Sequence, residues 1–146
     1  MALRKINISV GTDLERYLAT RIAEGGNVSG ALNVMAQRYG EICERILPSL
    51  TLNEWLLVFD ALRAESSPDY HGVFSVPGLV RFAISHQGAA EKWEVAGPEL
   101  CARLEDMSLC ELYALLDAAG RFWLQDGRSN AERVARTVGT FRILQK

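Results

Sequence analysis

The 146-residue sequence lacks a surplus of basic charge: sixteen Lys and Arg stand against eighteen Asp and Glu, a formal net charge of −2. That excludes a globally basic nucleic-acid binder but says nothing about a local contact surface. Cysteine is scarce. Cys43, Cys101 and Cys110 are odd in number and without C-x-x-C spacing, so no disulfide framework or zinc motif is expected. His71 and His86 have no ligand spacing relative to them, and neither a metal site nor a cofactor is expected. Long apolar runs are missing too. The longest, Trp55 to Phe59, is far too short to span a bilayer. Met1 to Val10 has no apolar signal-peptide core, so the expectation is a cytoplasmic protein with no membrane contact. Without secretion, the glycosylation triplets at Asn7 and Asn27 are chance matches. No P-loop, dinucleotide fingerprint, H-E-x-x-H or nucleophile elbow occurs, and no enzyme is expected.

What the sequence does have is an ordered set of local signals at its N-terminal end. Ile6, Ile8 and Val10 alternate with Lys5, Asn7 and Ser9, the period of a strand with one apolar and one polar face. A single short strand cannot satisfy its own backbone, and no second alternating segment follows. Its nearest partner is the same strand of another copy. Thr12 with Glu15 reads as a capping box. The helix it opens places Leu14, Leu18 and Ile22 on one face and ends at Gly25-Gly26. Asn27 or Ser29 can cap a second helix, which carries Ala31, Leu32, Met35, Ala36 and Tyr39 at helical spacing and runs to Pro48. Gly30 weakens its first turn by about 1 kcal/mol relative to alanine.

Three segments in this order carry a resemblance. They are Ile6-Asn7-Ile8-Ser9-Val10, Thr12-Asp13-Leu14 with Leu18, and Gly26-Asn27-Val28-Ser29 with Ala31-Leu32. Together they resemble the ribbon-helix-helix family of Arc/MetJ/CopG-like DNA-binding proteins, over the first third of the chain. The resemblance implies a homodimer whose two-stranded ribbon enters the major groove of double-stranded DNA. Lys5, Asn7 and Ser9 would face the bases. Arg4, Asn27, Val28 and Ser29 would contact the DNA backbone, the last three at a helix N-terminus suited to phosphate. Ile6, Ile8, Val10, Leu14, Leu18, Leu32 and Met35 would form the dimer core. The alternative is an ordinary mixed fold in which Lys5, Asn7 and Ser9 are a solvated face.

The expected architecture is mainly α: a ribbon-helix-helix module over residues 1–48 and an all-helical domain over 49–146, hinged at Pro48-Ser49. Capping boxes stand at Thr51/Glu54, Ser108/Glu111 and Ser129/Glu132. Pro77 suits the first turn of a helix that Gly88 ends, and Glu91 to Val95 suggests one short turn. Leu109, Leu112, Leu116, Ala119 and Trp123 form a stripe read as a core face, or alternatively as a short coiled-coil seam. Trp55, Trp93 and Trp123 read as core rather than as a ligand pocket. Arg128, Arg133, Arg136, Arg142 and Lys146 read as a solvated basic tail, or alternatively as phosphate contacts. The expected function is transcriptional repression. The alternatives are an accessory DNA binder in plasmid partition or conjugation, an antitoxin, and a non-DNA interaction protein. A further protein partner could be held by the helical domain.

Overall fold

The computed structural model describes residues 11–23, 25–63 and 75–145, and they are mainly helical. The chain divides into two compact units, Met1–Glu41 and Ile42–Lys146. The division falls inside a helix rather than at Pro48-Ser49, because the end of that helix carries Cys43 and is followed by Leu47, both buried in the core of the second unit.

The first unit contains α1 (Thr12–Ala23) and most of α2 (Val28–Ile46). α1 begins one residue earlier than a Thr12 cap would allow. The Glu15 N–H donates to the Gly11 carbonyl at 2.9 Å, so Gly11 is the cap and Thr12 the first helical residue. Gly25, at φ +89°, takes the left-handed conformation that ends α1 at little steric cost.

The second unit continues with β1 (Leu50–Thr51), α3 (Leu52–Leu62), α4 (Val76–Gln87), α5 (Ala89–Lys92), α6 (Gly97–Glu105), α7 (Leu109–Trp123), α8 (Asn130–Val138) and β2 (Ile143–Leu144). α3 is apolar around most of its circumference, and Trp55 through Phe59, Ala61 and Leu62 are all buried. Such a helix belongs at the centre of a domain. It packs against α4, α7 and α8, while α4 also packs on α6. Phe59 stacks on Phe122 with ring centroids 4.7 Å apart, joining α3 to α7 at mid-core.

All three expected capping boxes form, with reciprocal bonds between side chain and backbone at Thr51/Glu54, Ser108/Glu111 and Ser129/Glu132. Ser75 caps α4 ahead of Pro77, and Gly88 ends it at φ +62°. The short turn after it is α5, which starts at Ala89 rather than Glu91 because Gly88 both closes α4 and opens α5.

The domain is not all-helical, which corrects the expectation. β1 and β2 pair in parallel, Leu50 with Ile143 and Thr51 with Leu144. Two-residue strands are too short to display alternation, so the pairing leaves no periodic trace in the sequence. A second correction concerns α7. Its buried residues are Ala114, Leu115, Ala118, Ala119 and Phe122. Of the stripe read as the core face, only Ala119 is buried; Leu112, Leu116 and Trp123 are half-buried and Leu109 is exposed. The observed core side combines Leu115 and Phe122 with Ala114, Ala118 and Ala119, whose small side chains permit close packing beside the larger ones.

Candidate nucleic-acid interface

The residues expected to read or surround bases, Arg4, Lys5, Ile6, Asn7, Ile8, Ser9 and Val10, lie outside the described residues. What can be placed is the helix pair that would support them and the start of α2.

α2 is capped by Asn27 rather than Ser29. The Ala31 N–H donates to the Asn27 carbonyl at 3.0 Å, and the Gly30 N–H donates to Asn27 Oδ1 at 2.7 Å. This arrangement gives Gly30 a local reason. A Cβ there would lie 3.1 Å from Asn27 Oδ1, against the atom that makes the cap. Val28 and Ser29 follow as the first two helical residues, where backbone N–H groups point out of the helix with no intrahelical acceptor. Asn27, Val28 and Ser29 are all exposed. The first turn of α2 contains no acidic residue, whereas α3, α6, α7 and α8 carry Glu54, Glu99, Glu111 and Glu132 there. The first turn of α2, like that of α4, thus supplies no counter-charge of its own to the positive end of the helix dipole.

The expected dimer-core positions divide. Leu18 is buried, and Leu14, Leu32 and Met35 are only half-buried. Along α2, Val28, Tyr39 and Ile42 continue the stripe of Leu32 and Met35 at helical spacing, with 40%, 49% and 55% of their surfaces exposed.

The basic tail does not act as one group. The guanidinium of Arg142 donates to the carbonyls of Glu44, Arg45 and Leu47. It thereby satisfies the carbonyls at the end of α2, where a cation also complements the dipole. Its own carbonyl accepts the Trp55 indole N–H at 3.0 Å. Arg133 lies 4.1 Å over the Phe122 ring and donates to the Phe122 carbonyl. Arg128 and Arg136 remain exposed, and together with Glu132 and Asp126 they line an open polar depression. Lys146 lies outside the described residues. Sequence reasoning missed the helix-end role of Arg142, because the pattern around it holds no sign of carbonyls so distant along the chain.

The indoles of Trp55, Trp93 and Trp123 donate to the Arg142 carbonyl, Asp60 and the Phe59 carbonyl respectively. Their polar edges are used for packing rather than turned into a cavity. Among the described residues no cluster of three His, Cys, Asp or Glu could hold a metal ion, and no helix is long and apolar enough to cross a membrane. Burial pushes the Cys101 thiol above its ordinary range; nearby Arg81 opposes this and Glu105 adds to it. Compared with protein-family models, curated proteins and solved structures, the chain gives no match.

Proposed function

We propose that the chain is a sequence-specific DNA-binding protein that acts as a homodimeric transcriptional repressor and reads the major groove with a two-stranded ribbon. The observation that carries this reading is the order of elements. An alternating segment over residues 6–10 leads into α1, a glycine turn, and α2 with an exposed, acid-free N-terminus. In this reading Lys5, Asn7 and Ser9 face base edges. Lys5 donates to guanine acceptors, and Asn7 pairs with adenine. Arg4 reaches the backbone. The N–H groups of Val28 and Ser29, positioned by Asn27, hold a phosphate. Ile6, Ile8 and Val10 close the dimer with Leu14, Leu18, Leu32 and Met35. The half-buried state of Leu14, Leu32 and Met35 supports this, since a second copy would finish covering them.

An accessory role in plasmid partition or conjugation would use the same contacts. The antitoxin reading ranks lower, because residues 42–146 form a closed core of their own rather than a short toxin-binding tail. The test is a band-shift titration on the DNA upstream of the protein's own gene. Lys5→Ala and Asn7→Ala should each weaken specific binding by about 1–3 kcal/mol while leaving non-specific binding nearly intact. Unchanged affinity in both variants removes the ribbon from the mechanism.

A further inference from the structure

A cavity of about 240 Å³ lies where the end of α2 meets α7, the end of α8 and the turn before β2. Leu47 and Val138, both buried, and Phe141, which is 76% exposed, supply its apolar wall. The Phe141 ring is placed by its own turn. A Cβ at Gly139 would lie 2.6 Å from Phe141 Cε1, and Gly139 takes φ +84°, so glycine is what lets the ring lie over the chain there. The Arg142 guanidinium also touches the ring, 5.2 Å from its centroid. A positioned aromatic left largely uncovered offers a stacking surface to a second ring.

The charged lining is divided between elements. Arg136 of α8 and Glu44 of α2 both border the cavity and are exposed, and among the described residues neither has an ion-pair partner. Glu132, one turn before Arg136, instead accepts the Ser129 N–H in the α8 capping box. Arg121 adds a second guanidinium on the α8 side. Its Nε donates to Asp117 and its Nη1 to the Thr137 carbonyl, both at 3.0 Å, while Nη2 is buried with no hydrogen-bond partner. A buried donor without an acceptor is costly, and a carboxylate on this side supplies one.

We infer that the cavity binds a free α-amino acid with an aromatic side chain. Its carboxylate lies with Arg136 and Arg121, its ammonium with Glu44, and its ring between Phe141 and the wall of Leu47 and Val138. Charge selects a zwitterion. Asp117 already balances Arg121, so Arg136 and Glu44 leave the lining with no net charge but with opposite signs on two elements. A lone carboxylate would meet Glu44 as a like charge, and a lone amine would meet Arg136. A ligand with both signs on one carbon answers both, and a guanidinium–carboxylate pair adds directional fit. Size agrees, since the cavity is smaller than the roughly 300–1,000 Å³ of drug-sized ligand sites. Every residue of the site belongs to the second unit, and the proposal does not rest on the DNA-binding reading.

The full-length chain tests it by titration with L-phenylalanine, followed by NMR chemical shifts. 3-Phenylpropionate lacks the ammonium and 2-phenylethylamine lacks the carboxylate, and each should bind at least tenfold more weakly. Glu44→Gln and Arg136→Gln, at exposed positions, should each weaken L-phenylalanine binding at least fivefold with unchanged circular dichroism. Glu44→Gln should also narrow the gap between L-phenylalanine and 3-phenylpropionate, because the amide no longer repels a lone carboxylate; a merely structural Glu44 would leave that gap unchanged. No shift changes at millimolar L-phenylalanine overturn the proposal. Equal affinity for all three compounds overturns the zwitterion, and unchanged affinity in both variants overturns the site. Loss of DNA binding in Lys5→Ala reports on the ribbon alone and moves none of these readouts.

Discussion

The two units differ in how far they complete their own cores. In Ile42–Lys146 the interior is closed: Trp55, Leu57, Phe59, Leu79, Leu100, Leu104, Leu115 and Phe122 are buried in one cluster. In Met1–Glu41, Leu18 is the one buried residue among the described side chains, while Leu14, Leu32 and Met35 stay half-exposed. Both units are built from capped amphipathic helices, so helix formation is not what separates them. The difference lies in what covers the apolar face. Among the described residues the first unit's stripe stays half-exposed, whereas the second unit covers its own apolar face. In the proposed reading, a second copy covers the first unit's stripe.

The strongest way to break the comparison is at the centre of the closed core. Trp55 has no exposed surface, lies tilted against Phe59 with ring centroids 5.4 Å apart and ties α3 to the C-terminal segment through the Arg142 carbonyl. Trp55→Ala should cost about 3–5 kcal/mol in denaturant unfolding. In the first unit, truncation of the half-buried Leu14, Leu32 or Met35 should cost less, since none of these is comparably enclosed. Next comes Arg142→Ala. It strips three carbonyls at the end of α2 of a charged donor and should cost about 1.5–3 kcal/mol. Arg142→Lys should recover only part of this, because a single ammonium cannot reproduce the fork.

Arg142 also shows where the sequence stops being legible. The boxes at Thr51/Glu54, Ser108/Glu111 and Ser129/Glu132 are read correctly because donor and acceptor lie three residues apart, within the reach of local pattern. The glycine ends at Gly25 and Gly88 are equally local. Arg142 on the Leu47 carbonyl and Leu50 beside Ile143 are long-range pairings with no periodicity to announce them. α7 fails for a different reason. It carries apolar residues on more than one side, so spacing alone permits several core faces, and the one buried holds Ala114, Leu115, Ala118 and Phe122. At the candidate interface, the Asn27 cap follows from residue type and position. The segment expected to touch bases lies outside the described residues.

The comparison sharpens further under dilution. If the first unit completes its core with a second copy, its unfolding is tied to protein concentration and that of the second unit is not. Tenfold dilution should lower the stability of a dimer-linked transition by about 1.4 kcal/mol per dimer and leave the other in place, as read by calorimetry at two concentrations. Coincident shifts in both transitions would mean that the units do not unfold independently. Asn27→Ala should then move the concentration-dependent transition alone, by about 1 kcal/mol, because it removes the 2.7 Å cap on Gly30.

The smallest effect separates two glycines on the same helix. Gly→Ala in a helix interior ordinarily gains about 1 kcal/mol. At Gly40 a Cβ would meet nothing within 4 Å, so Gly40→Ala should realise that gain. At Gly30 the new methyl would sit 3.1 Å from Asn27 Oδ1, and the amide must yield by a few tenths of an ångström while it holds the Gly30 N–H. Gly30→Ala should therefore stabilise by visibly less than Gly40→Ala, and the shortfall measures how rigidly the cap is held. Equal gains at both sites would mean that Asn27 shifts freely. A freely shifting cap would not fix the Val28 and Ser29 N–H groups, which the proposed phosphate contact needs in place.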